Sequence, residues 1–403
     1  MSMDRYRLFF SLLALSACLR AQPILVDVTT HSDPPLSIHV GGSDVMDLIS
    51  ALVGKQNEFA AFKDHPITAD IDYLGLPRAL GVSVTFEGNT ATLRIPSTGY
   101  VHTFTGNTPA QLQDAVSKWI KNEGGREFAR FRRVVNKRSS AGVTDGNPNA
   151  TTALLAGTFF NSFGLPRSPS HLDREQRTHV SLQPRESWWH SGRLSGRVLA
   201  LDPEIGYRAS ERTYLTLLAP MNYAETGDAE IFGAGVAGAI SRDLIPYEEE
   251  NRWHSRATFF AGAALRGSEN LAAGGAVYTW GGAVNVMREI TDDLRLGGAL
   301  MGSTFHGIPL DFEGYEFDKV VDQHIGKVGL VAELDLPFAA HRFVGQVTQT
   351  RLFKAAAVPD YTTVGLAYQW PWTDGSLVQI GYEADRGASY RSDQVRTELR
   401  IHF

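Results

Sequence analysis

His179 and Ser181 stand two residues apart in Thr178-His-Val-Ser181. On an extended strand that spacing puts both side chains on one face, where an imidazole could serve as base to a hydroxyl nucleophile. Asp292-Asp293 offers two adjacent carboxylates, the raw material of acid–base hydrolysis. Gly233-Ala-Gly-Val-Ala-Gly238 has the spacing of a dinucleotide-binding turn. That turn works only between a strand and a long helix, and here strand-like alternation continues past Gly238. Cys18 is the single cysteine of 403 residues, so the chain can form no internal disulfide and no cysteine-based zinc site. None of the twelve histidines pairs with another at metal-ligand spacing on a helix. The sequence is therefore read as non-enzymatic, with no catalytic, cofactor-binding or metal-binding constellation.

The elements around these residues say more. Charged residues make up 20% of the chain, hydrophobic residues 43%, and glycine reaches 39 positions, a balance that excludes a coiled coil or helical array. A net charge of -6 gives no global attraction to a polyanion, which argues against a nucleic-acid partner. No stretch approaches the roughly 20 apolar residues of a membrane helix. If the chain crosses a membrane, it does so with strands.

Two arginines in residues 1–7, the apolar run 8–17 and the small side chain of Ala21 form the tripartite pattern of a secretory signal, expected over 1–21. Leu15-Ser-Ala-Cys18 also resembles the lipobox of bacterial lipoproteins, which would make Cys18 a lipidation site. Both cleavage modes stay open. Residues 22–138 then read as a small periplasmic α+β module. Ser43 precedes Val45, Ile49, Leu52 and Val53 at helical spacing, and 82–86 and 90–95 flank Glu87-Gly-Asn89 as a hairpin. A second helix starts at the capping signal Thr108-Pro-Ala-Gln111 and runs through Trp119. Residues 126–138 carry six cationic side chains beside Phe128 and Phe131. This is either a solvated basic face or one that sits on anionic lipid. Residues 139–176 form a linker with a short helix, a candidate plug.

From residue 177 the pattern changes to long segments of two-residue period. Val395, Thr397, Leu399, Ile401 and Phe403 share one face, against Arg396, Glu398, Arg400 and His402. Val328, Leu330, Ala332, Leu334 and Leu336 alternate with Lys327, Glu333 and Asp335, and Val378, Ile380, Tyr382 and Ala384 with Gln379, Glu383 and Asp385. Thr362 to Trp370 repeats the pattern. Segments 177–403 resemble a bacterial outer-membrane β-barrel, and the terminal Phe403 with apolar residues at two-residue steps matches the assembly signal of that class. The resemblance is to the class and to no individual family.

The resemblance implies an all-β transmembrane antiparallel barrel of about twelve strands, drawn at 178–188, 195–209, 212–224, 229–242, 252–266, 272–288, 293–307, 323–337, 342–354, 360–371, 376–386 and 394–403. It further implies outer-membrane lipid, lipopolysaccharide and the barrel assembly machinery as partners. Lys327, Glu333, Asp335, Glu383, Asp385, Arg396, Glu398 and Arg400 are then expected to face the lumen. No cofactor is expected. With Phe403 on the periplasmic side, the turns near 210, 290–292, 338–340 and 372–375 are short and periplasmic, while 307–322 is the long outer loop. The 243–251 connection is an exception, long for that side. Trp280, Tyr278, Trp370, Trp372 and Tyr382 are either girdle aromatics or ordinary strand formers. The His179–Ser181 spacing is that of outer-membrane phospholipases and Asp292-Asp293 resembles the aspartates of outer-membrane proteases, yet both fall at the periplasmic end. The expected function is a small-solute channel or a structural envelope protein. The alternatives are an autotransporter-like translocator and a lipid- or peptide-hydrolysing barrel enzyme.

Overall fold

The computed structural model describes residues 24–42, 66–73, 76–85, 90–119, five single positions between 124 and 134, and then 177–191, 194–226, 229–246, 252–268, 273–308, 310–312, 315–317, 322–337, 341–354, 358–373 and 375–403. The export signal with Cys18, the helix expected after Ser43 and the linker at 139–176 lie outside the described residues, as does most of the basic segment at 126–138.

Among its described residues the N-terminal unit of the expected α+β module is mostly sheet: six antiparallel strands, where only one hairpin was expected, and one helix. Its strands β1 (Ile24–Thr30), β2 (Ser37–Gly42), β3 (Ile67–Tyr73), β4 (Leu76–Thr85), β5 (Thr90–Ile95) and β6 (Tyr100–Thr105) lie in the order β2-β1-β3-β4-β5-β6. Five of the six strands are only six or seven residues long, too short to give strong periodicity, and only the β4–β5 hairpin stands out in sequence. Val26, Val28, Ile38 and Val40 bury one face together with Ile67, Ala69 and Ile71. On the opposite face the register lines up Ser37, Thr29, Thr68, Ser83, Thr92 and Thr103, one hydroxyl from each strand. Helix α1 (Pro109–Trp119) starts as its capping residues predict. Gln111 donates its backbone N–H to Thr108 Oγ1 at 3.3 Å, and its side-chain oxygen accepts from the Asn107 N–H at 2.9 Å. At the other end Trp119 stacks on Tyr100 and donates its indole N–H to the tyrosine hydroxyl at 2.9 Å.

The second unit is a closed antiparallel barrel. Its strands are β7 (Thr178–Ser191), β8 (Leu194–Ser210), β9 (Thr213–Leu218), β10 (Met221–Thr226), β11 (Ala229–Ile245), β12 (Trp253–Ser268), β13 (Ala273–Glu289) and β14 (Leu294–Ile308). After a small hairpin of β15 (Leu310–Phe312) and β16 (Tyr315–Phe317) come β17 (Gln323–Asp335), β18 (Arg342–Leu352), β19 (Asp360–Thr373), β20 (Ser376–Gly387) and β21 (Tyr390–His402). β9 and β10 succeed each other along one position of the wall, both lying between β8 and β11, so the described wall has twelve staves. The break between β9 and β10 falls at Pro220, which has no N–H to give the ladder. β21 pairs with β7 and removes the last free edge.

Closure gives every strand an outer and an inner side, and the residues sort by parity. Leu182, Leu199, Ile205, Leu217, Phe259, Leu300, Leu330, Val347, Leu366 and Ile380 are exposed on the outer side. Their neighbours Ser181, Val198, Glu204, Leu218, Phe260, Met301, Val331 and Gln379 are buried on the inner side. An exposed apolar surface of this extent is not left facing water in a stable soluble barrel. No helix of the described residues is long and apolar enough to cross a membrane, which says nothing about strands.

Candidate functional site

The inner wall concentrates the charge of the barrel. In its middle, four ionic groups occupy four consecutive strands: Asp202 on β8 pairs with Arg185 on β7 at 3.1 Å, and Arg396 on β21 pairs with Glu383 on β20 at 3.1 Å. Arg185 and Arg396 stand directly opposite each other in the β7–β21 register, so each needs the acid on its far side. Glu383 also accepts from the side-chain amides of Gln346 at 3.0 Å and Gln394 at 3.1 Å. The amide of Gln346 reaches it across β19 only because Gly365 lies between them. A Cβ at Gly365 would come within 2.9 Å of Gln346 and 3.1 Å of Glu383. These groups border a cavity of about 20 Å³, also lined by Val331, Val344 and Gln379, with room for a single water molecule.

Nearer the end that carries both barrel termini, the pairs become chains. Arg295 on β14 holds Glu289 on β13 at 3.1 Å and Asp335 on β17 at 2.6 Å. Arg342 on β18 holds the same Asp335 at 2.6 Å and Glu333 at 3.2 Å. Asp243 on β11 accepts from Arg256 at 2.7 Å and contacts His254 at 3.2 Å, while the Arg256 guanidinium lies over the Tyr214 ring. Arg400 pairs with Glu398 at 2.7 Å. Ionic groups thus line most of the circumference, each acid beside a base, as buried charges require.

The far half of the inner wall is different. Trp189, Ile231, Phe305 and Ile325 are each no more than 2% exposed, and Trp189 and Tyr361 flank Tyr390 at 6.5 and 6.3 Å. The far half thus sets buried aromatic rings among single charged groups such as Arg266 and Lys327, whereas the half nearer Thr178 and Phe403 holds the chains of ion pairs.

The residues singled out in the barrel segment have places in this wall. Lys327, Glu333, Arg396 and Glu398 are buried, and Asp335, Glu383, Asp385 and Arg400 are partly buried, all on the parity opposite the exposed apolar residues. Thr363 donates to Asp385 at 2.6 Å. Val395, Leu399, Ile401 and Phe403 lie on the outer side with Thr397. Ser181 donates to Glu398 and accepts from Gln183, each at 3.2 Å, while His179 contacts Glu204 at 3.2 Å. The two side chains whose spacing would suit a base and a nucleophile are thus each engaged elsewhere. Asp292 and Asp293 are exposed in the turn between β13 and β14, and the glycines at 233, 235 and 238 lie inside β11 with no helix following. Among the described residues no group of three or more potential ligands is placed to hold a metal.

Sequence reasoning missed Arg185, Asp202, Asp243, Arg256, Arg295 and Arg342. The signal existed: Asp202 sits between the outward Leu201 and Pro203, and Arg295 between Leu294 and Leu296. Parity was followed only in the last hairpins, where the apolar runs are longest.

Solved structures of similar shape are outer-membrane barrels. The beta domain of the Bordetella autotransporter BrkA is 14% identical, with a TM-score of 0.44, over 56% of this chain and 100% of that one. The translocator domain of the autotransporter NalP from Neisseria meningitidis is 13% identical, with a TM-score of 0.44, over 62% and 96%. The COG4313 outer membrane channel from Pseudomonas putida F1 is 10% identical, with a TM-score of 0.41, over 57% and 96%. No family model and no curated protein matches the sequence.

Proposed function

We propose that this chain is an outer-membrane barrel that passes small polar solutes through a narrow, charge-lined interior. The observation that carries the reading is the opposite character of the two faces of one closed wall. Leu300 and Leu330 are 65% and 68% exposed outside, whereas Glu333 and Glu398, one wall thickness away, are 1% and 2% exposed and ion-paired inside. Hydrocarbon suits the first set and destabilises the second, so the wall is built for lipid outside and polar contents inside. The buried rings of Trp189 and Phe305 then narrow this path in the far half of the barrel. On this reading the N-terminal sheet is a periplasmic module, since the barrel begins at Thr178 beside Phe403.

The test is conductance of the purified full-length protein in planar bilayers. Discrete openings whose cation-to-anion preference falls in Glu383→Gln support the reading. A folded barrel that never conducts rejects it. A second reading, a structural barrel filled by its own side chains, is favoured by the near-complete burial of Trp189, Phe260 and Phe305, and that silent outcome is the one it predicts.

A further inference from the structure

The outer side of the barrel carries two arginines and a histidine in one register row at the rim remote from Thr178 and Phe403. Arg386 on β20 stands directly opposite Arg391 on β21, and Arg391 directly opposite His190 on β7. All three are exposed. Like charges in directly paired positions destabilise a sheet unless an anion lies between them. The chain supplies one anion at this row's edge: Asp393, one step toward the barrel middle, which binds Arg386 at 2.7 Å and the Tyr382 hydroxyl. Arg386 is further fixed by the carbonyls of Asp385 and Ser392, at 2.8 and 2.7 Å. Arg391 has no partner within the described residues, so the row holds a positioned guanidinium beside a free one.

Immediately below the cations the surface turns apolar. Tyr382 and Val395 are 49% and 37% exposed, and Trp188 lies opposite Asp393 in the register. We infer that this rim is a binding site for the phosphorylated headgroup of an amphipathic lipid, its acyl chain lying along Tyr382 and Val395. A free phosphate satisfies only the cationic row, and an uncharged lipid only the apolar strip. A lipid phosphate satisfies both, with Arg391 and His190 closing on oxygens that Arg386 cannot reach because its own donors are engaged. On the same rim, β10 and β11 instead pair Glu225 with Glu230, so the cationic character belongs to the β20–β21–β7 arc rather than to the rim as a whole.

This inference rests on the membrane-barrel reading and is tested separately from it. Full-length protein folded in detergent, with its heat-dependent gel shift as proof of a closed barrel, is titrated with bisphosphorylated lipid A, with the same lipid after phosphate removal, and with inorganic phosphate, following thermal unfolding. The expected result is stabilisation by the phosphorylated lipid at concentrations at least tenfold below those at which the other two act. Arg391→Gln and the double variant with His190→Gln should weaken that binding tenfold or more while keeping the gel shift, since both side chains are exposed on the outer side and Arg391 has no partner among the described residues. Equal response to both lipids, equal response to inorganic phosphate, or unchanged binding by Arg391→Glu would overturn the inference and leave the barrel reading intact. A chain that never shows the gel shift would overturn both.

Discussion

Phe403 donates its backbone N–H to the Thr178 carbonyl at 2.8 Å and accepts one in return at 3.4 Å, so the final residue is hydrogen-bonded to the start of the first stave. The ring of Phe403 itself is 67% exposed on the outer side. Deleting Phe403 should therefore remove one rung of the closing seam and one lipid-facing ring. Leu399→Asp with Ile401→Asp should act more severely, at about 2 to 4 kcal/mol per charge at the membrane midplane and less near the interface. The measurement is the amount of heat-modifiable protein in outer-membrane fractions. Normal amounts of the double variant would show that this face of β21 does not meet lipid.

Arg342 bridges Glu333 and Asp335, and Glu333 is 1% exposed. Arg342→Gln removes the guanidinium 3.2 Å from this buried carboxylate, a change that costs about 3 to 5 kcal/mol. The melting temperature of Arg342→Gln in detergent should fall clearly. Glu333→Gln added to Arg342→Gln should recover part of the loss, because one buried negative charge of the acidic pair is gone.

Gly365→Ala tests the middle of the inner wall. Its Cβ would enter the gap through which Gln346 reaches Glu383, and overpacking of this kind costs about 1 to 3 kcal/mol. Single-channel conductance should drop in a barrel that still folds. Unaltered conductance would place the solute path away from this wall.

In the N-terminal unit, Trp119→Ala removes the ring that packs on Tyr100, His102 and Phe104. Large aromatic truncations in a core cost about 3 to 5 kcal/mol. Proteolysis of the full-length variant should cut within 24–119 while the barrel fragment keeps its heat-dependent mobility. Loss of barrel mobility as well would mean that the two units depend on each other.

The barrel was largely legible because alternation over ten or more residues leaves few alternatives, and the strands drawn from sequence match the structure to within a few residues at most ends. The third stave was not, since 212–224 reads as one strand until the missing N–H of Pro220 divides it. Leu336 reads as a strand residue by parity but lies past Asp335, where the chain turns. The ion pairs were illegible for a different reason. Parity says which side a charge faces, whereas the pairing of Arg295 with both Glu289 and Asp335 depends on register across three strands. The sheet of the N-terminal unit was hidden by brevity, because strands of six or seven residues gain their identity from neighbours rather than from their own pattern.

Pro184, Pro203 and Pro220 occupy β7, β8 and the gap between β9 and β10, three neighbouring staves, and the β21–β7 ladder skips the positions between Arg396–Arg185 and Leu399–Leu182. Each proline withholds one donor from the wall. The barrel is thus mechanically uneven: the arc from β21 to β10 is its most compliant sector, and amide hydrogens there should exchange sooner than those of the unbroken β12–β13–β14 arc. Under lateral tension from a thinning or bending bilayer, that sector yields first, and the seam joining the first and last strands lies within it.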